Sequence, residues 1–197
     1  MFLDRRFFLA GAASALTLPA MPAFALSGAQ AGSLVESLVG DINTVIASGK
    51  SESAMIRDFE RIFARYSDTS YISAYAMGVD GRRASNGQKR SFSKAFQGYV
   101  ARKYGKRFRE FIGGRLEVNE VKQVKNWFEV STTAFLRGEA PFNVTFHVSD
   151  RSGKPLFFNM FIEGINLLLT ERTEVGALLD RNGGDIDAMI SALDRAG

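Results

Sequence analysis

The sequence predicts an α+β fold in which an approximately four-stranded, antiparallel, twisted sheet packs against N-terminal and C-terminal helices. Three observations lead there. Apolar residues recur at helical spacing up to the Gly113-Gly114 pair and again beyond Gly164. Between Leu116 and Glu163 the period shortens toward two, the repeat of a pleated strand. The links between those alternating stretches are Lys125-Asn126, Arg137 to Pro141 and Asp150 to Gly153. All are shorter than the roughly dozen residues a parallel crossover takes, so the strands form an antiparallel meander.

In chain order, Leu34, Leu38, Ile42, Val45 and Ile46 place a first helix from Ser33, and Gly49 ends it. A second helix follows Ser51 and buries Met55, Ile56, Phe59, Ile62 and Phe63. Asp68 is an N-cap for a short third helix through Tyr71, Ile72 and Tyr75, stopped by Gly78. After the turn Val79-Asp80-Gly81, an amphipathic helix over Gln88 to Tyr104 carries Phe92, Phe96, Tyr99 and Val100 on one stripe, with Lys89, Arg90, Lys94 and Arg102 elsewhere. A shorter piece from Lys106 to Ile112 holds Phe108 and Phe111 before the glycine pair breaks it.

Strands are expected over Leu116 to Val124, Asn126 to Leu136, Phe142 to Val148 and Leu156 to Glu163. In the third, Phe142, Val144, Phe146 and Val148 alternate with Asn143, Thr145, His147 and Ser149, so one face is apolar and needs cover from the helices. The apolar run PLFFNMFIEGINLLL, Pro155 to Leu169, divides by period into the last strand and a Gly164 corner that releases Ile165 to Leu169 into a tail helix ending near Leu179. After Asn182-Gly183-Gly184, Asp185 caps a closing helix to Leu193.

Residues 1–25 read as an export leader, leaving one domain over 26–197. The leader has a charged start at Asp4-Arg5-Arg6, an Ala/Gly-rich apolar stretch and the small-x-small box Ala23-Phe24-Ala25. The arginine pair followed by Phe and Leu resembles a twin-arginine (Tat-like) signal, with Asp4 where Ser or Thr is usual; a Sec signal is the alternative reading. Without the leader the formal charge falls from +4 to +3, too mild to argue for nucleic acid. There is no cysteine, which excludes disulfide and thiolate chemistry and leaves stability to the core. Phe occurs 17 times against one Trp, and such rings line cores and cavities alike.

Signatures of catalysis are missing. His147 is the only histidine, which by itself builds neither a His-based metal site nor a Ser-His-Asp arrangement. There is no Gly-x-Ser-x-Gly elbow, phosphate loop or HExxH helix. Asp185 and Asp187 sit where helix starts carry acids. No catalytic residue, metal site or cofactor is therefore predicted, and the protein is not expected to be an enzyme. The basic cluster Arg102, Lys103, Lys106, Arg107 and Arg109, interleaved with Tyr104 and Phe108, is either a solvated helix face or a surface for anionic lipid headgroups or an acidic partner.

Several motifs line up with one family. Arg83-Ala84-Ser85 with Gln88, Phe92 and Phe96 resembles the R-A-S-x-x-Q-x-x-x-F-x-x-x-F helix of periplasmic phospholipid-binding proteins of the MlaC or toluene-tolerance type. Ile162-Glu163-Gly164-Ile165-Asn166-Leu167 is similar to that family's I-E-G-V-S-L strand exit, Arg172 stands where its Tyr-Arg pair places the arginine, and Gly184 to Leu193 is similar to its tail. The chain departs from the pattern at Phe158-Asn159, where the family has Tyr-Asp, and at Glu171-Arg172.

The resemblance implies sheet and helices arranged around an apolar cavity that takes acyl chains, with the headgroup exposed. It implies a soluble, monomeric carrier in the periplasm that moves phospholipid between an outer-membrane lipoprotein complex and an inner-membrane ABC transporter bearing an MCE-domain protein, keeping the outer membrane asymmetric. On that reading the cavity wall comprises Phe92, Phe96, Tyr99, Phe108 and Phe111 from helices and Phe128, Val130, Val144, Phe146, Phe158, Met160 and Ile162 from strands. Glu163, Gly164 and Arg172 form an expected structural corner in which Glu163 pairs with a nearby arginine such as Arg172, the alternative being a ligand-binding role for Glu163. The same side chains could instead pack as an ordinary core. Other readings are a carrier of a hopanoid or isoprenoid, a small-molecule enzyme on a similar scaffold, or a structural adaptor without a cavity.

Overall fold

The computed structural model describes residues 26–106, 112 and 114–197. The leader expected over 1–25 lies outside the described residues, as do Phe108 and Phe111 of the short helix expected from Lys106.

The first helix, α1 (Gly28–Ala47), begins five residues before the apolar spacing indicates. Ser27 starts it with a capping box: its hydroxyl accepts from the Gln30 amide at 3.2 Å, and the Gln30 side chain accepts from the Ser27 amide at 2.9 Å. Next come α2 (Glu52–Tyr66) and α3 (Thr69–Met77). Asp68 caps α3, accepting from the Tyr71 amide at 3.0 Å, and Gly78 at φ +62° ends it. A 3₁₀ turn over Gly78–Arg82 leads to α4 (Asn86–Gly105), opened by a second capping box between Ser85 and Gln88.

The sheet is a meander of β1 (Arg115–Val124), β2 (Trp127–Phe135), β3 (Phe142–Ser149), β4 (Leu156–Ile162) and β5 (Ile165–Asn166), each antiparallel to its neighbour. The fifth strand was not anticipated. At Glu163-Gly164 both residues take positive φ, +49° and +78°, the requirement of a tight two-residue hairpin, and Ile165 pairs back with Ile162. The corner is thus a hairpin feeding α5 (Leu167–Arg181), with α6 (Ile186–Arg195) closing the fold.

In β2, Phe128, Val130, Thr132 and Ala134 are buried while their neighbours are half-buried, so this strand keeps strict alternation. The inward face of β1 and β2 is covered by α1, which approaches closely because of glycine: a Cβ on Gly32 would stand 3.2 Å from Val121 Cγ2, and one on Gly28 would stand 3.4 Å from Phe128 Cε1. Next to α1 lies α2, and α4 packs against α2, α3 and α6. Helix α5 spans from β4 to α3 and α6. The tail is tied down by Arg102, whose guanidinium donates to the Leu193 and Ala196 carbonyls at 2.8 Å each and so satisfies the open C-terminus of α6.

Candidate functional site

Beyond the close contact of the start of α1 with β1 and β2, the two layers stand apart around a cavity of about 310 Å³. Its floor is the inward face of β3 and β4, with Val144, Phe146, Phe157, Met160 and Ile162. Its roof comes from Leu38 and Ile42 of α1, Phe59, Ile62 and Phe63 of α2, and Phe96, Val100, Ala101 and Tyr104 of α4. Leu167 and Leu168 at the start of α5 close one side, and the exposed Glu139 marks where the wall reaches the surface at the β2–β3 connection. The size is at the lower end of ligand pockets, about 300–1,000 Å³, and the lining is mostly aliphatic and aromatic.

Of the twelve residues expected in the wall, Phe96, Val144, Phe146, Phe158, Met160 and Ile162 border this cavity. Four others are placed elsewhere. Phe92 is buried but does not line the cavity, and its ring stacks on Phe96 with centroids 5.5 Å apart. Tyr99 turns toward α5 and donates to Glu174 at 2.6 Å. Phe128 and Val130 lie in the part of the sheet that α1 seals. Phe108 and Phe111 are outside the described residues.

Two local features explain the shift. Helix α4 is packed on several sides, so its apolar residues form more than one stripe, and the one that meets the cavity runs Phe96, Val100, Ala101, Tyr104 and Gly105. In β4 the pairing passes from His147 with Asn159 to Val148 with Phe157, leaving Phe158 as the extra residue of a β-bulge. The bulge resets the alternation and brings Phe157 to the inward face opposite Val148, where it meets Phe146 at 5.6 Å. Phe158 borders the cavity, yet its ring packs edge-on against Tyr71 at 5.6 Å and Trp127 at 5.8 Å. The contribution of α2 was missed as a wall although its apolar stripe was plain in the sequence.

The corner is held differently from the expected ion pair. The Glu163 carboxylate accepts from the Asn143 amide, and the Glu163 amide donates to the Asn143 carbonyl at 3.0 Å, which stitches the β4 end to β3. The Arg172 guanidinium lies over the Tyr75 ring, 5.1 Å from its centroid, and so clamps α5 to α3.

One edge of the cavity is polar. Glu171 on α5 lines it and is only 4% exposed, an unusual place for a carboxylate. Its Oε1 accepts from the Lys103 ammonium at 2.7 Å and from the Tyr104 hydroxyl. Lys103 also reaches Glu174 at 2.7 Å. Burial pushes the Glu174 carboxyl up, but the hydrogen bonds from Lys103 and Tyr99 outweigh it and hold the group below its ordinary range. Burial, with the Glu174 carboxylate as acceptor, pushes the Tyr99 phenol well up. Nearby, Asn159 is buried, and its Oδ1 accepts from the Leu168 amide at 3.3 Å at the start of α5.

The basic cluster is largely occupied in structural contacts: Arg102 holds α6, Lys103 holds the two glutamates, and Lys106 donates to the Gly197 carbonyl at 2.6 Å. Arg107 and Arg109 are outside the described residues. His147 sits on the outward face of the sheet between Trp127 at 4.1 Å and Phe161 at 4.7 Å. Among the described residues no group of His, Asp and Glu could hold a metal ion, and no helix is long and apolar enough to cross a membrane.

Comparison with known proteins places this architecture. A search of curated proteins finds no match. Among solved structures, a phospholipid-binding protein from Ralstonia solanacearum, determined in complex with a phospholipid, superposes with a TM-score of 0.72 at 16% identity, covering 84% of this chain and 96% of the other. The model of the MlaC protein family matches residues 36–195, nearly the whole folded part, and the chain therefore belongs to the MlaC family.

Proposed function

We propose that the protein is a periplasmic carrier that binds phospholipid by its acyl chains in this cavity. It would shuttle the lipid between an outer-membrane lipoprotein complex and an inner-membrane ABC transporter bearing an MCE-domain protein. The observation that carries the reading is the mostly apolar cavity between sheet and helices, in a member of the MlaC family whose structural neighbour was determined with phospholipid bound. Residues 1–25 would be the export leader, cleaved after Ala25, and the carrier would act as a monomer. Phe96, Val144, Phe146, Met160 and Ile162 would form the acyl wall together with Phe59, Phe63 and Phe157.

Burial of a methylene is worth about 0.8 kcal/mol, so a chain of roughly sixteen carbons gains about 13 kcal/mol over water. Release into water would be negligible, and transfer must occur at a membrane or partner that offers equal burial. Docking is thus part of the mechanism. Among the described residues Glu171 is the buried carboxylate of the cavity wall that a hydrolytic reading would use, and its Oε1 is already held by Lys103 and Tyr104.

Native mass spectrometry of protein purified from its own cell envelope tests the reading. The expected result is a co-purifying mass of two-chain phospholipid. A consistently empty protein overturns it, a hopanoid or isoprenoid mass redirects it to another lipid, and release of free fatty acid from added phospholipid would make the protein an enzyme.

A further inference from the structure

The start of the folded chain meets an acid that nothing else claims. The backbone nitrogen of Leu26 donates to Asp150 Oδ2 at 3.0 Å, in a part-buried contact that spans 124 positions of sequence. Asp150 opens the turn between β3 and β4, and that turn is closed by backbone alone, the Gly153 amide donating to the Asp150 carbonyl at 2.8 Å. The carboxylate is therefore free of its own turn. Among the described residues it forms no ion pair with a lysine or arginine, and the neighbouring Arg151 turns its guanidinium to the Tyr71 ring, 5.5 Å from the centroid.

Leu26 is held from both sides. Its side chain packs part-buried on the core from the position ahead of the Ser27 cap, where an apolar residue staples a helix start. Gly28, two residues on, lets the same end of α1 come within 3.4 Å of Phe128 Cε1. The nitrogen of residue 26 is thus fixed in front of a carboxylate.

The sequence says what becomes of that nitrogen. Ala23-Phe24-Ala25 is a small-x-small box, and cleavage after it hydrolyses the Ala25–Leu26 peptide bond. Water adds across the bond: Ala25 takes the oxygen and leaves as a carboxylate, and both water protons pass to the Leu26 nitrogen, which is an ammonium at neutral pH. One neutral N–H facing Asp150 becomes a cation with three donors in the same place, and a charge-assisted bond is roughly twice as strong as a neutral one. A cut one residue earlier would set the new charge about 3.8 Å back along the chain, and a cut one residue later would remove Leu26 itself.

We propose that Asp150 is the receptor for the N-terminus made by leader removal: cleavage after Ala25 turns the Leu26–Asp150 hydrogen bond into an ion pair that fastens the head of α1 to the β3–β4 turn. Those two strands carry the cavity floor, so the last step of export also tightens the carrier's frame. The inference rests on residues 1–25 being a cleaved leader and is independent of which lipid the cavity holds.

The test has two arms. Intact-mass measurement of protein from its own cell envelope should give a chain that begins at Leu26. A double-mutant cycle on that chain then compares a free with an acetylated α-amino group, with and without Asp150→Asn, by melting temperature and urea midpoint. Acetylation of the wild type should lower the folding constant by about two- to fivefold, a drop of about 1–4 °C, and should change neither readout once Asp150→Asn is present. Asp150→Ala, run in parallel, should give the same result and covers a failure of the first variant to fold. An acetyl group that merely disturbed packing would act equally in all backgrounds, and that outcome overturns the receptor while the leader stands. An unprocessed chain, or one that begins at another residue, overturns the cleavage reading and the receptor together, whatever lipid the protein carries.

Discussion

Phe92 and Phe146 are both buried, at 1% and 3% exposure, yet truncation should affect them differently. Phe92 lies away from the cavity in the helical layer, stacked on Phe96, so Phe92→Ala opens a void in packed protein and should cost about 3–5 kcal/mol. Phe146 meets Phe157 edge-on but turns part of its ring to the cavity, and contacts absent on that side cannot be lost. Phe146→Ala should therefore cost about 2–3 kcal/mol in lipid-free protein, including the ring pair. For a domain of this size each kcal/mol moves the melting temperature by about 2–4 °C, giving drops of roughly 6–20 °C and 4–12 °C. Those ranges overlap, so the decisive assay is the rise in melting temperature on adding lipid. Phe92→Ala should keep that rise, and Phe146→Ala should lose much of it, because only the second removes a surface the acyl chain would cover. The reasoning is refuted if Phe92→Ala abolishes the lipid-dependent rise while Phe146→Ala preserves it.

Further outcomes follow from other contacts. Burial between Trp127 and Phe161 holds the His147 imidazole below its ordinary pKa of 6.5, with the Glu129 carboxylate 3.6 Å away opposing the shift. The unfolded chain then binds the proton first, so the stability from the neutral ring is complete above pH 6.5 and is lost as pH falls from there through the folded value. Urea melts from about pH 7 to about pH 5 should show that loss in the wild type and a smaller one in His147→Gln. Arg102→Ala removes both bonds to the end of α6 and should cost about 1–3 kcal/mol, with faster hydrogen exchange confined to that helix. A Cβ on Gly105 would stand 2.9 Å from Ile56 Cγ1 where α4 crosses α2, so Gly105→Val should destabilise by about 1–3 kcal/mol and narrow the cavity, read as a lower melting temperature and less bound lipid.

The fold was largely legible because its signals are local. Asp68 and Asp185 cap helices where the sequence places them, β3 alternates as its residues alternate, and short links make the meander antiparallel. The early start of α1 is equally local, set by the Ser27 and Gln30 capping box ahead of the first apolar repeat. The hairpin at Glu163-Gly164 was harder, because positive φ at a glutamate runs against its own preference and is held by the bonds to Asn143.

By itself the sequence determined the class, the order of the main helices and of the first four strands, the absence of thiol chemistry and the family, since period, capping and motif order act over a few residues at a time. Which aromatic side chains share the cavity was decided only by the tertiary structure. Whether Phe92 or Val100 faces the void depends on the rotation of α4, set by α2, α3 and α6 together. Whether Phe128 or Phe157 does depends on where α1 lies against the sheet and on one bulge residue in β4. Burial makes all four apolar in the same way, so composition cannot separate a wall from a core. The separation comes from where packed layers fail to meet, a property of the assembled fold and not of any stretch of its chain.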